Sequence, residues 1–263
     1  MSFLLDTVKK SESINERLGY LFELSSYAQS KIRKTHHPKV KFIIFGTGRS
    51  GSTLLVDMLR SNPQIHCDNE LFHRKLVNPF SLIERRAHMF DAIAYGFKCL
   101  TYQIYEVLGY TNHQEFIDTL HQLGYKIIYL RRDNTLMQAL SNMYARYRNI
   151  YHTKANKRVS GHTSKINVDF EVLDDWMQRL DEQKTFEQTL LRDVPHLNVS
   201  YEADLMVPES HRQTVQKIGE FLGIDCSAAP KVSLRKASPT QLEDYVENLS
   251  ELKLHFKNKM VPV

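Results

Sequence analysis

Apolar positions along this chain fall into two alternating kinds of segment. Short, nearly continuous apolar runs occur at 41–45 (KFIIF), 95–100 (YGFKCL), 125–130 (YKIIYL) and 196–201 (HLNVSY), with the length of buried β-strands. The other segments carry apolar residues at helical spacing, with charges on the remaining positions. Residues 11–34 place Ile14, Leu18, Leu21, Phe22 and, less regularly, Tyr27 on one face, and 53–60, 135–147 and 209–222 also read as helices. Breakers mark three boundaries: His36-His37-Pro38 after the first helix, Ser61-Asn62-Pro63 after the second, and Gly223 after the last. Strands that alternate with helices predict an α/β fold, with a central, mostly parallel sheet flanked by helices.

Composition narrows this picture only a little. A length of 263 residues suits one domain, here with a helical segment at 1–38 ahead of the first strand. The content of 42% apolar and 25% charged residues is that of an ordinary water-soluble chain. The three cysteines, Cys67, Cys99 and Cys226, are odd in number and widely spaced, so neither a disulfide framework nor a zinc site is expected. The N-terminal stretch has too short an apolar run for a signal peptide and no segment reaches the length of a membrane span, so the expected location is cytoplasmic.

The net charge of +5 is compatible with an anionic ligand but does not specify one. It is unevenly spread. No acid lies between Asp133 and Asp169, an interval that holds Arg146, Arg148, Lys154, Lys157, Arg158 and Lys165. Residues 148–168 are therefore expected to form a basic loop, either solvated or walling an anion site. No helix-turn-helix, zinc or RNP signature accompanies it, so no nucleic-acid partner is expected.

The densest chemistry lies at 46–53, GTGRSGST, between the first strand and the second helix. A glycine-rich turn that leaves a strand and opens a helix aims backbone N–H groups and the positive end of the helix dipole at one point, where phosphate or sulfate oxygens fit. As a nucleoside-triphosphate loop the segment has Gly46 and Gly51 at the right separation. Ser52, however, stands in the place of the lysine, which argues against ATP or GTP hydrolysis. The cation sits inside the loop instead, as Arg49. As a dinucleotide fingerprint Gly46, Gly48 and Gly51 satisfy G-x-G-x-x-G, with Asp68 or Glu70 as the ribose-binding acid. A Rossmann-type dehydrogenase is therefore the alternative reading.

The run Gly48-Arg49-Ser50-Gly51-Ser52-Thr53-Leu54 also resembles the 5′-phosphosulfate loop of the sulfotransferases that use 3′-phosphoadenylyl sulfate (PAPS). A second segment resembles that family's 3′-phosphate motif: the strand at 125–130 runs into Arg131-Arg132, and Ser141 follows Arg132 by nine residues in the next helix. Many members separate the two by eight, so Arg131 and Arg132 both stay open, with Arg132 favoured. The longer spacing looks more like bacterial carbohydrate-type members. Tyr201-Glu202-Ala203-Asp204-Leu205, Phe221-Leu222-Gly223 and Leu234-Arg235-Lys236 resemble later family segments.

The resemblance implies a P-loop-like three-layer fold, PAPS as donor, adenosine 3′,5′-bisphosphate (PAP) as product, and no metal. It assigns nucleotide contacts to Gly48, Arg49, Ser50, Gly51, Ser52, Thr53, Arg132 and Ser141. Tyr201 falls near adenine, and Arg235 and Lys236 close over the nucleotide. The acceptor is a glycan, glycolipid or other small-molecule hydroxyl. Arg49 stabilises the transferring group. The base is a glutamate at Glu70, as in carbohydrate and glycolipid members, because the histidine that small-molecule enzymes carry after a Lys-Thr pair is missing at Lys98-Cys99-Leu100. His73 and His66 are the alternates.

Overall fold

A computed structural model describes residues 17–29, 36–148, 165–233 and 241–257 of the chain. Five strands form one sheet: β1 (Val40–Gly46), β2 (Ile65–Glu70), β3 (Ala94–Leu100), β4 (Tyr125–Arg131) and β5 (His196–Ser200). Their order across the sheet is β2-β3-β1-β4-β5, and every pairing is parallel. A helix at 17–29 (α1) precedes the sheet. The others are α2 (Ser52–Arg60), α3 (Pro79–Ala87), α4 (His113–Gln122), α5 (Thr135–Arg148), α6 (Phe170–Leu190), α7 (Pro208–Leu222) and α8 (Leu249–Lys257). Single π-helical turns follow β3 at Gln103–Val107 and β5 at Tyr201–Leu205.

The strand period of two sorts the core into layers. Phe42 and Ile44 of β1 join Leu55 and Leu59 of α2 and Val215, Ile218 and Leu222 of α7 in one buried cluster. Ile43 and Phe45 join Leu82 and Ile83 of α3 and Phe116, Ile117 and Leu120 of α4 in another. Helices on both faces of an all-parallel sheet are the predicted three-layer α/β architecture. A third cluster joins α5, α6 and α8 through Leu136, Leu140, Leu173, Leu180, Leu252 and Phe256.

The strand order bears on the dehydrogenase alternative. In the Rossmann order β2 lies beside β1, which brings the acid at its end to the ribose. Here β3 intervenes, so the end of β2 stands two strand spacings, about 9–10 Å, from β1. Asp68 is also fully engaged. It accepts from Arg86 at 2.8 and 3.0 Å and from the Tyr95 hydroxyl at 2.9 Å. Burial alone would raise its pKa, but bonds from His66 and Arg86 outweigh that and hold it at about 2. The glycine fingerprint therefore lacks the topology that a dinucleotide site needs, and Asp68 is already committed to Arg86 and Tyr95.

Four helices, α3, α4, α6 and α8, and the edge strand β2 were not predicted. The order does create a switch point. The chain leaves β1 toward β2 and leaves β4 toward β5, so the loops after β1 and β4 diverge at neighbouring carboxyl ends, where open α/β sheets bind ligands.

Candidate active site

The loop after β1 is built by two glycines that no other residue replaces cheaply. Gly46 has φ 151°, and a Cβ there would lie 2.1 Å from the Leu130 carbonyl oxygen of β4. Gly51 has φ 89°, and a Cβ there would meet the Tyr201 ring at 2.7 Å. Between them Arg49 adopts φ 62°, a left-handed conformation uncommon for any residue other than glycine. The strained loop is held from outside. Gln138, wholly buried on α5, donates to the Thr47 hydroxyl at 2.8 Å and to the Gly48 carbonyl at 2.7 Å. Arg132 donates to the Arg49 carbonyl at 3.2 Å. Ser50 turns inward, its hydroxyl closing onto the Thr47 carbonyl at 2.8 Å. The first turn of α2 has no side-chain cap, which leaves its N–H groups for a ligand.

The second predicted segment meets the first. The Arg49 guanidinium donates to the Ser141 hydroxyl from Nη2 at 2.9 Å and from Nε at 3.2 Å. Arg132 is buried, with Cζ 4.6 Å from the Tyr201 ring centroid and Nε 3.6 Å from Glu202. Burial presses the Arg132 pKa down, while Tyr201 and Glu202 partly offset it. Glu202 also accepts the Asp133 and Asn134 N–H groups at 2.8 and 3.2 Å, fixing the start of α5. Arg131 points elsewhere, pairing with Asp133 at 2.9 Å.

One cavity of about 1350 Å³ is lined by Gly48, Arg49, Gly51, Ser52, Thr53, Glu70, Arg132, Ser141 and Tyr201. Three predicted residues do not line it: Ser50, buried with its hydroxyl on the Thr47 carbonyl, and two histidines. His73 is exposed, its ring nitrogen 3.2 Å from the Glu70 carbonyl, and His66 stacks on Phe90 at 3.4 Å. Arg235 and Lys236, and 149–164 of the expected basic loop, lie outside the described residues. Among the described residues no cluster of three His, Cys, Asp or Glu could hold a metal ion, and no helix is long and apolar enough to cross a membrane.

Structural neighbours of the chain include sulfotransferases. A crystal structure of mouse sulfotransferase SULT7A1 complexed with PAP matches at TM-score 0.49 and 16% identity, over 86% of this chain and 85% of that one. The sulfotransferase domain of the olefin synthase from Synechococcus PCC 7002 matches at TM-score 0.41 and 17% identity, over 88% of this chain and 92% of that one. No protein-family model and no curated protein matches the sequence.

The cavity also contains groups that the sequence reading passed over, chiefly Lys98. It sits inside β3, 2% exposed, and pairs with Glu70 at 2.8 Å while donating to the Thr53 hydroxyl at 3.1 Å. A register shift in β2 between Asp68 and Glu70 brings Glu70 opposite Lys98 on the neighbouring strand. Gln103 donates to the other Glu70 oxygen at 2.9 Å, so both carboxylate oxygens are oriented. A lysine inside an otherwise buried strand is itself a functional signal, because such a charge is rarely buried unless paired.

Proposed function

We propose that this protein transfers a sulfuryl group from PAPS to an acceptor hydroxyl. The observation that carries the reading is the meeting of Arg49 with Ser141 and Arg132 in one cavity. A glycine-rich anion loop and a second phosphate-type Arg/Ser pair then face a single ligand. A nucleotide with phosphates at both its 5′ and 3′ positions is the ligand that uses both.

In this reading the α2 N–H groups and the Ser52 and Thr53 hydroxyls hold the 5′-phosphosulfate. Arg132 and Ser141 take the 3′-phosphate, with Ser141 exchanging its bond to Arg49 for phosphate oxygen. Tyr201 lies beside adenine. The acceptor oxygen forms a bond to sulfur as the bond from sulfur to the bridging phosphate oxygen breaks, and PAP leaves. The acceptor proton goes to Glu70, which Lys98 and Gln103 orient. Arg49 and Lys98 stabilise charge that builds on the bridging and equatorial oxygens. The grouping with carbohydrate-type members remains part of this proposal, carried by the spacing of Arg132 and Ser141 and by Glu70 in the cavity.

The test is label transfer from radiosulfur PAPS into fractionated extract, with Arg49→Ala as control. Labelled product that disappears with Arg49→Ala supports the proposal. Absence of any PAPS turnover and of any PAP binding overturns it.

A further inference from the structure

The cavity exceeds what one nucleotide needs. Pockets for ligands of that size span about 300–1,000 Å³, against about 1350 Å³ here. The cavity walls reach beyond the anion loop to α5 and α6 on one side and to the start of α7 and residues 229–232 on another. Trp176, Arg179, Leu180 and Gln183 of α6 all line the cavity and follow the spacing i, i+3, i+4, i+7, a single helix face about 10 Å long. In a packed helix such a stripe is apolar. Here only Leu180 is buried in the core, while the stripe also brings an indole, a guanidinium paired with Asp175 and an amide that donates to the Tyr105 hydroxyl at 2.8 Å to the cavity wall.

Arg146 extends this wall. It stands on α5 five positions beyond Ser141, about 7.5 Å along the axis. Its guanidinium lies 4.5 Å from the Trp176 ring centroid. A cation–π contact of this kind uses no N–H acceptor, so the guanidinium N–H groups remain able to bond an oxyanion. No carboxylate among the described residues pairs with Arg146. Arg179 pairs with Asp175 of its own helix at 2.9 Å, but both are exposed, and such a pair exchanges readily for a ligand. Other groups on this side, Tyr102, Glu106 and Asn142, are hydrogen-bonding, as ring hydroxyls require.

We infer that the acceptor is an acidic saccharide, with a hydroxyl that reaches Glu70 and a carboxylate, phosphate or sulfate that pairs with Arg146 and Arg179. This deepens the sulfuryl-transfer reading and rests on it, because it takes the Arg49 end of the cavity for the nucleotide.

Trp176 is the only tryptophan in the chain, so its fluorescence reports on this wall alone. The experiment titrates the full chain, with PAP present, with an oligogalacturonate and with its methyl-esterified, uncharged counterpart. PAP binding is measured separately by calorimetry. The expected result is a Trp176 emission change with the charged oligomer at least about tenfold tighter than with the ester. That preference weakens with salt and is lost in the double variant Arg146→Gln/Arg179→Gln, whose PAP affinity is retained. Equal responses to the two oligomers, or none to either while PAP binds, overturn the inference and leave the donor reading standing. Failure of PAP to bind, with the charged oligomer still preferred, overturns the donor reading instead and supports the acidic site.

Discussion

Ser141 accepts two hydrogen bonds from Arg49, at 2.9 and 3.2 Å, across 92 residues of intervening chain. The same Arg49 gives its carbonyl to Arg132. The anion loop and the β4–α5 segment are therefore mechanically one unit, and a change in either is felt at both.

Arg49→Ala removes the cation nearest the proposed transferring group. The turnover number should fall by about 10²–10³, the size of effect seen when one transition-state donor is lost. Single-turnover kinetics with PAPS check this, and unchanged turnover excludes Arg49 from the chemistry.

Glu70→Gln keeps the shape of the side chain but cannot accept a proton. Turnover is expected to drop by about 10²–10⁴ with PAP affinity little changed. Lys98→Met should lower turnover too, because it removes the charge that orients Glu70 and bonds Thr53. Full activity in Glu70→Gln assigns the base elsewhere.

Gly51→Ala forces a Cβ into the Tyr201 ring and a side chain into a left-handed backbone. The cost expected from strain of this kind is about 1–3 kcal/mol. It should appear as a lower Tm together with weaker PAP binding, since the same loop holds the phosphosulfate. A variant with unaltered Tm contradicts the geometry.

Glu187 supplies a pH signature of stability. It is wholly buried on α6, accepts from the Thr101 hydroxyl, and its pKa is raised from 4.5 to about 7 by burial, partly offset by Thr101 and by Lys184. A carboxyl whose folded pKa is raised stabilises fully below its unfolded pKa, and that contribution is lost as pH rises through the folded value. Between pH 4.5 and 7 the wild type should therefore lose about 3 kcal/mol relative to Glu187→Gln. Chemical denaturation of both proteins across this range measures it, and parallel profiles contradict it.

Much of this architecture was legible in the sequence wherever neighbours in the chain are also neighbours in function. β1, β4 and α7 announce themselves because their buried faces are continuous or strictly periodic. β2 did not, because it is an edge strand of six residues whose second half, Asp68-Asn69-Glu70, is polar. α6 was also missed: its inward positions include Glu187, and its cavity-facing stripe carries Arg179 and Gln183, so the apolar period is broken by residues placed for other reasons. At the site the two phosphate-type segments could be read as motifs. Lys98 carried a signal of another kind, a lone charge inside an apolar strand, but its partner Glu70 lies 28 residues earlier and no local spacing links the two. The support given by Gln138 and Glu202 is tertiary, made across 90 and 69 residues of chain, and leaves no local pattern.

The most direct test of the central claim is calorimetric titration with PAP and with adenosine 5′-monophosphate, in the wild type and in Arg132→Ala. The account predicts that PAP binds about 100-fold more tightly than the monophosphate and that Arg132→Ala erases most of the difference, because a buried charge-assisted contact to the 3′-phosphate is lost. Equal affinities for the two nucleotides, or a preference for PAP untouched by Arg132→Ala, would contradict it.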